Sequence, residues 1–331
     1  MKKMFLVFLA GLLLACEPSK KEIPTAEKKF AVIRHAFGET VLTDKPKRIA
    51  AIGWGNQDVP LALGVVPVGM SKANYGVLDG TGILPWTAER IAELGGPSPS
   101  LFDDTDGVDF EALSDVQPDV ILAAYSGITR NEYELLSKIG PTIPYPREPW
   151  QTLWREQILI NAAGMGLEAE GQRIVTDLEA FIEEKLRLYP ELKGKTGAFV
   201  YFDPSDLSKI SVYSPKDPRT MWLTDLGLVL PEGIAKLAEK SQSFYITLSA
   251  ENADLLAEAD ILLTWVLGDA KLLEILQGDS LIGGIPAIQR GSVVLLEENP
   301  LAASMTPSPL SIPWSLDEYL QLIAKAAENL P

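Results

Sequence analysis

The chain carries 45 acidic against 29 basic residues in 331, a formal net charge of −16. An anionic surface of this kind argues against nucleic acid as a partner. With one histidine and one cysteine, the sequence also excludes a His-rich metal cage, a Cys/His zinc site and an internal disulfide.

Lys2 and Lys3 form a basic start, and Met4 to Ala15 is an apolar run. A mature transmembrane helix needs about 20 apolar residues, so this shorter run fits a signal-peptide core. It ends in Leu13-Leu14-Ala15-Cys16, which resembles the bacterial lipobox, where the cysteine is lipidated and the peptide is cut before it. The alternative is an ordinary secretory signal, but a sole thiol at the end of the apolar run calls for another explanation than a disulfide. Residues 1–15 are therefore expected to be a lipoprotein signal peptide, with Cys16 as the lipid anchor. Residues 16–29, rich in Lys, Glu, Pro and Ser, are expected to be a flexible tether.

Beyond the tether, short apolar strands alternate with helical stretches, the pattern of α/β layers around a mostly parallel sheet. Strands are expected at 48–53, 65–70, 119–125 and 142–145, and helices at 57–63 and 130–139. His35 reads as a surface histidine beside the first strand. No nucleophile-elbow motif accompanies it, which argues against a Ser-His-Asp hydrolase. From Trp150 to Tyr189 the strand signal vanishes, and Gly164 to Gly166 splits the stretch into two helices. The second, residues 167–190 including Pro190 as its stop, would run about 35 Å at 1.5 Å per residue. Strands resume at 197–202, 209–213, 244–248, 260–265 and 292–296, and a helix at about 315–329 closes the chain. The expected fold is α/β: two Rossmann-like lobes, 30–166 and 191–331, with mostly parallel sheets joined by one long rigid helix.

A weak internal similarity links the halves. FEALSDVQPDVILAAY and AENADLLAEADILLTW each run from an acid at a helix start to an aromatic at a strand end. The interval from Glu111 to Tyr125 equals that from Glu251 to Trp265. Open α/β sheets bind ligands outside such strand ends.

Three segments carry a resemblance to the class III substrate-binding proteins of iron-siderophore and vitamin B12 importers, the siderophore branch being nearer. Arg48 to Ser71 (RIAAIGWGNQDVPLALGVVPVGMS) is similar to that family's opening strand-helix-strand with its "LALG…PVG" core. FEALSDVQPDVILAAYSGITRNEYELLSKIGPT is similar to "LEAL…PDLIL…YEKLSKIAPT", and PSPLSIPWSLDEYL to the family's C-terminal segment. The binding module would then span about residues 48–331. The resemblance implies ligand held between two lobes with little hinge closure, and delivery to an ABC importer outside the cytoplasmic membrane. It also implies a monomer tied to the membrane only by lipid, and no enzyme activity. No protein cofactor is expected, because iron arrives chelated within a siderophore. Haem or cobalamin is the alternative cargo, and a lipoprotein α/β hydrolase the alternative class.

A ferric siderophore needs aromatic faces and Arg or Tyr donors rather than metal ligands. The residues expected at the ligand are Trp54, Tyr125, Arg130, Arg147, Tyr213, Arg219, Trp222 and Trp265. A wider set comprises Asn56, Tyr75, Trp86, Tyr145, Trp150, Tyr201 and Met305. Trp154, inside an amphipathic helix, and Trp314 are set aside. The resembled family docks through one exposed acid on each lobe, and Glu111 and Glu251 match those positions.

Overall fold

A computed structural model describes residues 29–266 and 271–330. The signal peptide, Cys16 and nearly all of the tether lie outside the described residues. The first described element is an antiparallel hairpin, β1 (Ala31–His35) and β2 (Gly38–Leu42). This hairpin, not expected from the sequence, carries His35 at the end of β1 and buries it. The imidazole is buried, with Nε2 2.9 Å from the Thr40 hydroxyl and its ring against Phe37 and Tyr133. It is a packed core residue, not a surface one, and burial lowers its pKa below 6.5.

The first lobe follows as β3 (Ile49–Ala51), α1 (Asp58–Ala62), β4 (Gly69–Ser71), α2 (Pro85–Leu94) and β5 (Ser100–Phe102). Next come α3 (Phe110–Asp115), β6 (Val120–Ala123), α4 (Arg130–Ile139) and β7 (Thr142–Pro144). The strands are nearly continuous apolar runs because helices cover both faces; every residue of β6 is buried. They form an all-parallel sheet in the order β5-β4-β3-β6-β7. Strand order reverses between β3 and β6, the switch point where such sheets open a crevice.

Helix α5 (Trp154–Gly164) packs on this lobe, and α6 (Glu168–Leu186) is the long connector. At 1.5 Å per residue its 19 residues span about 28 Å. It buries Val175, Leu178 and Ile182 on one face, against α5 and the C-terminal helix.

The second lobe contains β8 (Gly197–Phe202), β9 (Lys209–Tyr213), α7 (Pro218–Asp225), α8 (Glu232–Glu239) and β10 (Tyr245–Ser249). After a short 3₁₀ segment at Ala250–Leu256 come β11 (Ile261–Val266), α9 (Leu272–Gly278) and α10 (Pro286–Gln289). Then β12 (Val293–Glu297), α11 (Pro300–Ala303) and α12 (Ser311–Ala327) complete the lobe. The sheet order is β10-β9-β8-β11-β12, the same topological order as in the first lobe. Strand β9 alone runs against the others, pairing antiparallel with both β8 and β10. In each lobe the fourth strand, β6 or β11, lies beside the first across the switch point. The internal sequence similarity therefore corresponds to topologically matching places.

Polar contacts tie the lobes together away from the cleft. On α5, Trp154 Nε1 donates to Asp225 Oδ2 at 2.8 Å, and Arg155 pairs with both Asp225 (2.9 Å) and Glu179 (2.6 Å). Asp58, fully buried, accepts from Trp86 Nε1 (2.8 Å), Thr87 Oγ1 (2.8 Å), Gln57 Nε2 (3.2 Å) and Ser308 Oγ (2.5 Å). Burial raises the pKa of this carboxyl, and those four donors work against that shift.

Candidate ligand-binding cleft

Between the lobes lies a cleft of about 710 Å³, open to solvent. Its first wall is built at the switch point, from the chain just beyond β3 and β6. Gly53 has φ +79, and a Cβ there would sit 2.7 Å from the Tyr125 carbonyl, so only glycine lets the two loops approach. Trp54 N–H then donates to Tyr125 C=O at 3.1 Å. Asn56 locks this junction from behind. Its Nδ2 donates to Ile52 O (2.7 Å) and Tyr125 O (2.9 Å), while Oδ1 accepts from Tyr125 N, Gln157 Nε2 and Asn161 Nδ2. Asn56 is thus a fully buried brace and not a ligand contact.

Trp54 and Tyr125 are both on the cleft wall. Trp150 joins them with its ring edge-on to Tyr125 at 5.2 Å. Trp150 holds φ +60, an unusual conformation for a bulky residue. Its indole fills the space over Gly127, where a Cβ would lie 2.2 Å from Nε1.

The opposite wall comes from the second lobe. Asp217 caps the start of α7 by accepting from Arg219 N at 2.9 Å, and its Oδ1 also takes Arg219 Nε at 2.7 Å. Its other oxygen receives Arg219 Nη2 in a close ion pair. The Asp217 side chain has no exposure and that of Arg219 only 14%. The guanidinium lies 4.4 Å from the Tyr213 ring and 4.8 Å from the Trp265 ring. These rings also meet each other and Phe199 edge-on. Burial opposes the charge on Arg219, but Asp217 outweighs it and holds the pKa above the ordinary arginine value. Burial likewise pushes the Tyr213 hydroxyl up to about 12, so it faces the cleft as a neutral donor. Tyr75, reaching over from the first lobe, lies 6.1 Å from Trp265. Among the described residues the Tyr75 hydroxyl and Trp265 Nε1 are buried without a hydrogen-bond partner.

The structure thus brings Trp54, Tyr125, Tyr213, Arg219 and Trp265 together, with Tyr75 and Trp150 from the wider set. Three expected residues lie elsewhere. Arg130 begins α4 and stacks on Phe37 at 5.2 Å. Arg147 is held by Glu156 through two bonds of 2.7 Å on the surface. Trp222 is 1% exposed in the second-lobe core, one turn beyond Arg219 but turned inward. Trp86, Tyr145 and Met305 are also buried away from the cleft, and Tyr201 does not line it. The reading from sequence missed Ser71, Lys72, Asp104, Glu132, Phe244 and Thr306, all on the wall. Ser71 ends β4 and Lys72 follows it, so the strand-end rule would have found them. Asp104 follows β5, a three-residue strand with little signal of its own. Its pKa is raised by burial against hydrogen bonds from Ser71 and the Asp109 backbone.

Two α/β lobes of matching topology, joined by a connecting helix with an aromatic cleft between them, are the architecture of a substrate-binding protein. The chain belongs to the Periplasmic binding protein family, whose model matches residues 49–300. It is similar to the probable siderophore-binding lipoprotein YfiY of Bacillus subtilis strain 168, with 24% identity over 264 residues, 78% of this chain and 76% of that protein. Among solved structures it is similar to Streptococcus pneumoniae TIGR4 PiaA in complex with ferrichrome. That likeness has 50% identity and a TM-score of 0.86, covering 90% of this chain and 99% of PiaA. Staphylococcus aureus SirA, solved with staphyloferrin B, shares the fold at 21% identity, a TM-score of 0.67, and 90% or more coverage of both chains (91% and 98%).

Proposed function

We propose that this protein captures a ferric siderophore in the inter-lobe cleft, outside the cytoplasmic membrane, and delivers it to an ABC importer. The observation that carries the reading is the box formed by Arg219, Tyr213 and Trp265 facing Trp54 and Tyr125 across the cleft. Aromatic faces suit the organic shell of a chelate, and the guanidinium and phenols suit its iron-bound oxygens. The 50% identity to PiaA, solved with ferrichrome, supports a ferric hydroxamate as the cargo.

Lipid on Cys16 and a tether over 16–29 would hold the protein at the membrane, after removal of residues 1–15. The lobes would divide as 30–166 and 191–331 about a linker at 167–190, and the protein would act as a monomer. Glu111 and Glu251 would dock the permease. Both are exposed at the start of a helical segment joining the third and fourth strands of their sheets.

Native mass spectrometry against ferrichrome, haem and cobalamin tests the reading. Retention of one ferrichrome per chain is expected. Retention of haem or cobalamin with no ferrichrome would overturn it.

A further inference from the structure

The charges on the cleft wall do not cancel. Among the described residues four charged side chains line it: Lys72, Arg219, Asp104 and Glu132. Both cations are already matched from outside the lining. Lys72 Nζ pairs with Asp103 at 3.1 Å, and Arg219 pairs with buried Asp217. The two acids on the wall have no such match. Asp104 accepts from the Ser71 hydroxyl and, at 3.3 Å, from Asp109 N. Glu132 Oε2 accepts from Thr129 N (2.6 Å) and Thr129 Oγ1 (2.7 Å), closing the capping box of α4. Neither acid forms an ion pair with Lys or Arg among the described residues.

The matched pairs contribute little net field, so the first-lobe wall presents to the cavity two carboxyl groups that are held by hydrogen bonds but have no Lys or Arg partner among the described residues. The chain's formal charge of −16 adds the same sign at longer range. An anionic chelate entering the cleft meets repulsion here that the paired Arg219 does not relieve. A neutral chelate meets none, and a chelate with a pendant cation gains attraction.

We infer that the cleft selects its cargo by charge, with Asp104 and Glu132 as specificity-determining residues that favour ferric chelates bearing an ammonium group and reject polyanionic ones. This rests on the siderophore reading above and adds to it a charge class and the residues that enforce it.

Two linear trihydroxamates separate charge from shape: ferric desferrioxamine B, whose chain ends in an ammonium group, and its N-acetyl derivative, which is neutral. Titration calorimetry at low salt gives the ratio of their affinities on one protein, so a general loss of fold or affinity cancels. The wild-type protein is expected to prefer the ammonium form by about fivefold, with the preference shrinking as salt rises. A ferric tris-catecholate is expected to show no saturable binding. Asp104→Asn keeps an oxygen for Ser71 and Asp109, and Glu132→Gln keeps the capping box. Each is expected to lower the ratio, and the double variant to bring it within about twofold of unity. A wild-type ratio already near unity, a ratio insensitive to salt, or one unchanged in the double variant would overturn the inference while leaving siderophore binding intact. Binding of none of the ferric chelates would overturn the siderophore reading and this inference with it.

Discussion

Replacing Arg219 with methionine separates the two roles that the guanidinium fills in the structure. It removes a cation lying over Tyr213 and Trp265 at 4.4 and 4.8 Å. It also strands Asp217, whose side chain has no exposure and keeps only the Arg219 backbone N–H among its bonds to that residue. Breaking a buried ion pair by removing one partner costs about 3–5 kcal/mol. Urea denaturation of Arg219→Met is therefore expected to show a loss of that size. Adding Asp217→Asn removes the stranded charge and keeps a good helix cap, so the double variant is expected to recover most of the stability. Binding is expected to behave differently. A hydrogen bond to a charged group is worth about 1.5–3 kcal/mol, which is about 10- to 150-fold in affinity for a ferric hydroxamate. That loss is expected in both variants, read by titration calorimetry. A stable double variant with wild-type affinity would refute the role given to Arg219 at the ligand.

His35 is the single histidine, and burial lowers its pKa from 6.5. Below pH 6.5 the unfolded chain takes up the proton first, so stability is expected to fall as pH drops from there through the folded pKa. One imidazole resonance in an NMR titration gives that pKa directly, and His35→Gln is expected to lose this part of the acid limb in urea denaturation. Cys16→Ala is expected to abolish incorporation of labelled fatty acid; a labelled variant would remove the anchor assignment. Changing Glu111 and Glu251 together to alanine is expected to leave ferrichrome affinity within about threefold. Ligand-stimulated ATPase of the reconstituted importer is expected to drop by about tenfold or more, because such charges set encounter and register. Full stimulation by the double variant would return both acids to being helix-start residues.

The strands β8 and β9 and the helix α4 have the bounds expected from sequence. Long apolar runs state a strand plainly, and the Thr129-to-Glu132 capping box marks a helix start. The shorter elements carry little signal. β5 buries one residue of three, and α7 begins in SPKDPRT, which reads as a turn until Asp217 is seen capping it. At the site, residue type and strand end were enough to place Trp54, Tyr125 and Trp265. Direction was not legible. Arg219 and Trp222 lie on one short helix, yet one faces the cleft and the other the core. Arg147 is drawn to Glu156, a pairing set by how α5 docks rather than by any local pattern. The acids on the cleft wall carry no local signal of a site, since Glu132 reads as the partner in a helix capping box and Asp104 follows a three-residue strand.

Tryptophan fluorescence reads capture of a ligand by the cleft, since Trp54, Trp150 and Trp265 all line it. Titration with ferrichrome is expected to give saturable quenching with one site per chain and an affinity of micromolar or better, about −8 kcal/mol or beyond. Ferric ion delivered without a siderophore is expected to quench far more weakly. Saturable quenching by the bare ion, with no response to any ferric siderophore, would show that the cleft does not bind a ferric siderophore.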